Sequence, residues 1–349
     1  MRFKSIDFLR FIFAILIVLF HGRKILELPN WLAGLSHCNV CVDFFFLISG
    51  FLLFFKFRPG TDTWQYAKKR FFRLAPNLWL SVVIIGILSI FIKGIYWSFD
   101  GNLLRVLLLH SIGFSPSVGG TSMVYTWFIS ALFWTSIFYI YISKIFEKKY
   151  LNLVIWLLVI FCYAIFIQYN NFNINGATEN IYLIFNIGIC RALASMGLGY
   201  FLSMAYKEGV LQNVGIKGKI FISLCEFFLA GFLMYYLIFS GKLPCRTGMG
   251  YIISFAILFY FMLIKKGLLS KLLDNNLSVT LGKYSYSIYC FHGVVLPIFK
   301  YQIFKYYPLI LINNPLLAYL IQTLCAVITG IIFYYIFERP VTNFIRTKT

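Results

Sequence analysis

Apolar runs close to twenty residues long recur along this chain from end to end, and they leave very few folds open. Stretches such as FIFAILIVLF, VVIIGILSIFI and LIQTLCAVITGIIF offer water nothing. In hydrocarbon, each backbone N–H and C=O must find its partner within the protein, which leaves helices or a closed barrel. A barrel strand would show weak alternation over about ten residues, not solid apolar blocks. The chain is 61% hydrophobic and 12% charged, with a mean hydropathy of +0.83, which fits no soluble domain of this length. The expected fold is therefore an all-α polytopic membrane protein. It forms one integral-membrane domain over residues 1–349, with no appended soluble domain. The first apolar run lacks a small-residue cleavage site, so it is read as a retained span.

Ten spans are expected, at about 5–22, 40–55, 74–92, 126–143, 151–168, 181–205, 219–240, 248–264, 284–299 and 309–337. The formal charge of +20 would suit a nucleic-acid ligand if it were clustered, but it is distributed by topology. One alternate set of connecting segments holds 21 of the 31 Lys and Arg residues and the other set holds 8. The rich set faces the cytoplasm by the positive-inside rule, which puts both termini there. The segment LLRVLLLHSIGF (103–114) is too short to span and is expected to lie in the outer interface or re-enter. Cys38 and Cys41 in HCNVC have only His37 nearby, too few ligands for zinc, so no metal site is expected.

Ionisable groups inside spans are costly and are functional candidates by default. Here they are Asp7, Arg10, His21, Asp43, Arg191, Glu226, His292 and Glu338. On a helix, Arg10 and His21 fall within roughly 20° of one face and about 16 Å apart along the axis, with Asp7 within about 40° of the same line. This makes a ladder from the inner surface to the outer end of the first span. Asp43 opens the second span from outside and is expected at the level of His21, where a carboxylate could orient an imidazole. The plain alternative is that both face head groups. Arg70 and Arg73 share a helix face at the cytoplasmic start of the third span. They read either as topological anchors or as a pair that grips phosphate in bidentate fashion. Pro76 suits a first turn or a kink. Ser285, Tyr289 and His292 line a polar face of the ninth span, and Arg191 must face a cavity or an acid, with Glu226 a candidate partner. Ser49-Gly50 reads as close helix packing, Trp127 as an interfacial belt residue or a sugar platform, and Glu338 as a cap pairing with Arg70 or Arg73.

Taken in order, these stretches resemble acyltransferase family 3, the integral-membrane acyltransferases of bacterial surface glycans. The resemblance rests on DFLRFIFAILIVLFH with its Arg10 and His21, VDFFFLISGFLL, RFFRLAPNLWL, TWFISALFW, LGKYSYSIYCFHGVVLPI and the closing FERP. It covers nearly the whole chain. One departure is Ala131-Leu132-Phe133, where many relatives carry an acidic residue. The resemblance implies a bacterial inner-membrane O-acyltransferase, most simply an O-acetyltransferase, with acetyl-CoA or another acyl-CoA as co-substrate and no resident cofactor. The acceptor it implies is a hydroxyl of a surface polysaccharide, such as an O-antigen, or of its lipid-linked precursor. His21 would then be the general base, or alternatively the bearer of a covalent acyl group, and Asp43 its orienting acid, with Arg10, Arg70 and Arg73 holding the CoA phosphates. Asp7, Ser49, Trp127, Arg191, Tyr289, His292 and Glu338 would line or support the site. Expected partners are the acyl-CoA, the glycan and membrane lipids, with no nucleic acid, and self-association stays open. Two other readings are a glycan or acyl-group exporter without chemistry of its own and a structural scaffold, which leaves the ladder unexplained.

Overall fold

The computed structural model describes residues 2–23, 30–58, 60–112, 123–169, 180–182, 185–240 and 248–348. They form a helical membrane bundle. Its elements are α1 (Lys4–Gly22), α2 (Cys41–Lys56), α3 (Thr63–Phe91), α4 (Phe99–Val106), α5 (Trp127–Ile145), α6 (Lys148–Tyr169), α7 (Ile187–Lys207), α8 (Ile216–Phe239) and α9 (Gly248–Ile264). There follow the single turn α10 (Leu268–Leu272), α11 (Asn276–Ile298), the short α12 (Phe304–Tyr306) and α13 (Pro308–Asn313), α14 (Pro315–Phe333) and α15 (Arg339–Lys348). A small antiparallel ribbon, Asn180–Tyr182 with Phe185–Asn186, precedes α7.

Among the described residues, 8 helices are long and apolar enough to cross a membrane. Of the ten expected spans, 248–264 falls on α9, a shorter apolar helix, and 284–299 on α11, which is 23 residues long and rich in Ser and Tyr. Four expected boundaries move, each for a local reason. The second span is prolonged outward by the 3-10 segment Asn30–Val40, so the helical run Leu32–Lys56 is 25 residues long. The third helix starts at Thr63, where the Asp62 side chain accepts from Trp64 N at 3.0 Å, so Pro76 lies inside a helix, not in its first turn. The span expected from 181 begins at Ile187, where Asn186 caps the helix by accepting from Gly188 N at 2.7 Å. The last span begins at Pro315, since Pro308 and Pro315 each start a new helix. It then runs through a π-helical turn, Tyr334–Glu338, into α15.

The core is built from two tight helix pairs. α2 packs on α7 with backbones nearly touching: a Cβ at Gly50 would overlap the Met196 backbone, and one at Gly199 the backbone of Leu47 and Phe51. This matches the small-residue packing expected around Ser49, itself half-buried. α1 runs parallel to α11, joined by Gly282 against Asp7, and α14 lies antiparallel on α11 with Gly330 against Ile288. An aromatic wall links the pairs: Phe13 meets Phe44 at 4.9 Å and Phe255 at 5.1 Å, and Phe44 stacks on Phe255 at 3.6 Å. The segment after α4 folds back between α3 and α5. Ser130 Oγ and Trp134 Nε1 donate to the Leu108 carbonyl at 2.6 and 2.7 Å, and Trp79 Nε1 donates to Val106 O at 3.0 Å. Of the flexible connection that the Gly and Ser content of 115–125 predicts, residues 115–122 lie outside the described residues.

Candidate active site

The parallel pairing of α1 and α11 fixes what can meet. Gly282 lies beside Asp7, so His292, ten residues and about 15 Å farther along α11, comes within reach of the last turns of α1. There the His21 and His292 rings lie 5.2 Å apart, tilted by 32°. The imidazole of His292 is fully buried. Its Nδ1 sits 2.6 Å from the Tyr289 carbonyl, which can only accept, so Nδ1 carries the hydrogen. Its Nε2 is thus left with a lone pair, and that atom has no protein partner. Tyr125, which no charge or spacing marks in the sequence, completes the group. Its ring lies 4.5 Å from His292 and 6.2 Å from His21, and its hydroxyl donates to Cys290 O at 3.2 Å. Tyr289 OH in turn donates to Tyr125 O. Gly293 makes this possible, because a Cβ there would overlap the Tyr125 ring. The only sequence signal for Tyr125 was its position two residues before Trp127.

Below this pair, the carboxylate of Glu338 accepts from Asn77 Nδ2 at 2.9 Å and from Ser287 Oγ. The expected pairing of Glu338 with Arg70 or Arg73 is not made, since neither lies within 4.0 Å of it among the described ion pairs. Residues from α3 and α11 reach it first, and neither Asn77 nor Ser287 stood out in the sequence. Ser285, expected on the polar face, instead bonds back to Gly282 O at 2.9 Å.

At the opposite end of α1 from His21, Asp7 takes Arg2 at 2.7 Å and Arg10 at 3.5 Å. Arg10, Arg70 and Arg73 lie within electrostatic reach of one another, with Glu338 close to Arg10 and Arg73. Arg70 Nε is buried and has no partner. The structure thus gathers the three arginines expected to hold phosphate.

Asp43 and Arg191 correct two expectations. Asp43 was placed at the level of His21, but the helical run extends outward of it. Phe44 packs against Phe13, so Asp43 lies well inside that level. Its carboxylate is held by Arg191, through Nη2 and through Nε at 3.2 Å, and accepts from Ser195 Oγ at 3.3 Å. The expected Asp43–His21 pair therefore gives way to an Asp43–Arg191 pair, both side chains at most 2% exposed. Glu226, the expected partner of Arg191, instead accepts from the Ser270 backbone N at 3.1 Å. Trp127 is neither a belt residue nor an open sugar platform, being 6% exposed with its ring 5.3 Å from the Arg191 guanidinium. Cys38 and Cys41 are buried free thiols, and no group of three metal-ligating side chains occurs among the described residues.

A family model described as an acyltransferase domain matches residues 3–336, nearly the whole chain. Neither the curated proteins nor the solved structures give a match.

Proposed function

Because the chain belongs to this acyltransferase family and is a multi-pass membrane protein, we propose that it moves an acyl group from a cytoplasmic acyl-CoA to a hydroxyl of a cell-envelope glycan or its lipid-linked precursor. Acetyl-CoA is the simplest donor and the bacterial inner membrane the expected location. The observation that carries the reading is the two-ended arrangement on α1. Three arginines gather at the end that charge asymmetry puts in the cytoplasm, and two histidines meet at the other.

Arg10, Arg70 and Arg73 bind the CoA phosphates, for which guanidinium groups have matching geometry. The extended arm of CoA then follows the α1 and α11 faces past Asn77, Ser287 and Glu338. At the outer end, His21 takes the proton of the acceptor hydroxyl as its oxygen attacks the thioester carbonyl. The C–O bond forms, the C–S bond breaks, and the thiolate leaves with the proton that His21 took up. His292 offers a fixed acceptor at Nε2 for a neighbouring hydroxyl of the acceptor, which holds the reacting hydroxyl beside His21. Asp43 supports the scaffold through Arg191 and does not act on His21.

The test is release of free CoA from acetyl-CoA by the protein reconstituted in membranes, with and without envelope glycan, in wild type and His21→Ala. Acceptor-dependent release that disappears in the variant supports the reading. Glycan movement across the membrane without CoA release would favour the exporter. Full acylation by His21→Ala would remove His21 from the chemistry.

A further inference from the structure

The re-entering segment contains a second set of unsatisfied polar atoms, which the acyl-transfer chemistry leaves unused. Arg105 on α4 is 2% exposed, yet no ion pair holds it among the described residues. Its Nη1 donates to Gly101 O at 2.8 Å on its own helix, and its Nε has no partner. A buried cation without a counter-ion is costly, and proteins keep such groups where a ligand supplies the charge. One turn earlier, on the same face, lies Asn102, 3% exposed. Its Nδ2 donates to Ser98 O at 2.8 Å, while its Oδ1 is buried and unpartnered. Ser111, 1% exposed, also has an unpartnered hydroxyl.

This segment is held rigidly. Leu108 adopts φ +57°, a left-handed conformation that is strained for a leucine. Its carbonyl is fixed by both Ser130 and Trp134. His110 adds no charge: its Nε2 meets Thr126 Oγ1 at 3.3 Å, and burial, with Arg105 nearby, pushes its pKa down to about 3. Tyr125 connects the two regions, lying near Arg105 and packing on His292.

We infer that Arg105 and Asn102 form an acceptor subsite for an acidic sugar, the guanidinium taking the sugar's carboxylate and Asn102 Oδ1 accepting from an adjacent hydroxyl. An unpartnered acceptor beside a cation that no acid neutralises suits a group that carries both an oxyanion and a hydroxyl. The assignment to the acceptor rests on the acyl-transfer reading, which places α4 on the outer side. The anion site itself does not.

The experiment measures thermal unfolding of the full chain in phosphatidylcholine nanodiscs with glucuronate, glucose or glycerol 3-phosphate. Glucuronate should raise the melting temperature and glucose should not. Arg105→Gln should weaken glucuronate roughly tenfold or more, as loss of a charge-assisted pair does. Asn102→Asp keeps the test open if Arg105→Gln folds poorly. It supplies an internal carboxylate, so it should raise the melting temperature without ligand and abolish the glucuronate response. An equal response to glucose, or a glucuronate response unchanged in either variant, overturns the inference. So does a response only when phosphatidylglycerol replaces phosphatidylcholine, which would assign the site to a lipid head group. A response as large to glycerol 3-phosphate as to glucuronate overturns the acidic-sugar assignment. Absent CoA release with an intact, Arg105-dependent glucuronate response would sink the acyl-transfer reading and leave the anion site standing.

Discussion

The α2–α7 half of the molecule and the α1–α3–α11 half treat their buried basic side chains differently. In the first, Arg191 finds Asp43, Ser195 joins the same carboxylate, Trp127 covers the guanidinium, and glycines let the two backbones close on each other. In the second, His292 Nε2 and Arg70 Nε lie buried with no partner, and so does Arg105 Nε on the adjoining α4. A closed set of buried charges stabilises a scaffold. An open set is costly to the folded protein alone and is recovered when a ligand enters. Substitutions in the first half should therefore reduce stability, and those in the second should reduce binding and turnover.

The largest expected effect is in the open half. His21→Ala should lower acyl transfer by about 10²–10⁴-fold, the range for losing a general base, with the melting temperature nearly unchanged. His292→Ala should lower turnover too, whereas a loss of stability alone would move His292 into the scaffold. The closed half gives the converse. Arg191→Leu leaves Asp43 buried without its partner and should cost about 3–5 kcal/mol in denaturant unfolding. Adding Asp43→Leu should recover much of that, because no lone charge is left. A double variant as unstable as the single one would show that the ion pair is not what fixes α2 on α7.

How much of this was legible beforehand depended on whether a signal was local. The apolar runs located the helices, and the eleven-residue spacing put Arg10 and His21 on one face, because helical periodicity is a property of the sequence alone. Partner choice was not legible. Asp43 was assigned to His21 because both were read as outer-end residues. The 3-10 extension at Asn30–Val40, which lowers Asp43 relative to that end, has no strong sequence mark. Glu338 was assigned to arginines by charge, yet Asn77 and Ser287 from two other helices reach it first. Tyr125 was missed because its role depends on Gly293, 168 positions later, leaving room for its ring. Arg105 carries no sequence signal of its own, since burial in a re-entering segment leaves no periodic trace.

Two smaller effects sharpen the comparison. Arg70→Ala and Arg73→Ala should each weaken CoA binding by about tenfold, measured by titration in nanodiscs, and lysine should restore little of it. Unchanged affinity in all these variants would return the pair to topological anchoring. The smallest effect concerns His110. Its folded pKa of about 3 lies below the unfolded value near 6.5, so acid favours the unfolded chain, which takes up the proton first. Its contribution is intact above about pH 6.5 and is lost progressively as pH falls toward 3. At pH 5.5 the loss should be roughly 1 kcal/mol larger in wild type than in His110→Asn, read from unfolding at both pH values. Equal losses would mean that His110 is not held neutral.

The most direct test of the two-ended account is sidedness. Labelled acetyl-CoA is added to the cytoplasmic face of sealed, oriented vesicles whose envelope glycan is on the opposite face, and label in the glycan is measured for wild type and His21→Ala. Glycan labelling is expected in wild type and almost none in the variant. Labelling that persists without His21, or that requires acetyl-CoA on the glycan's own side, would contradict it.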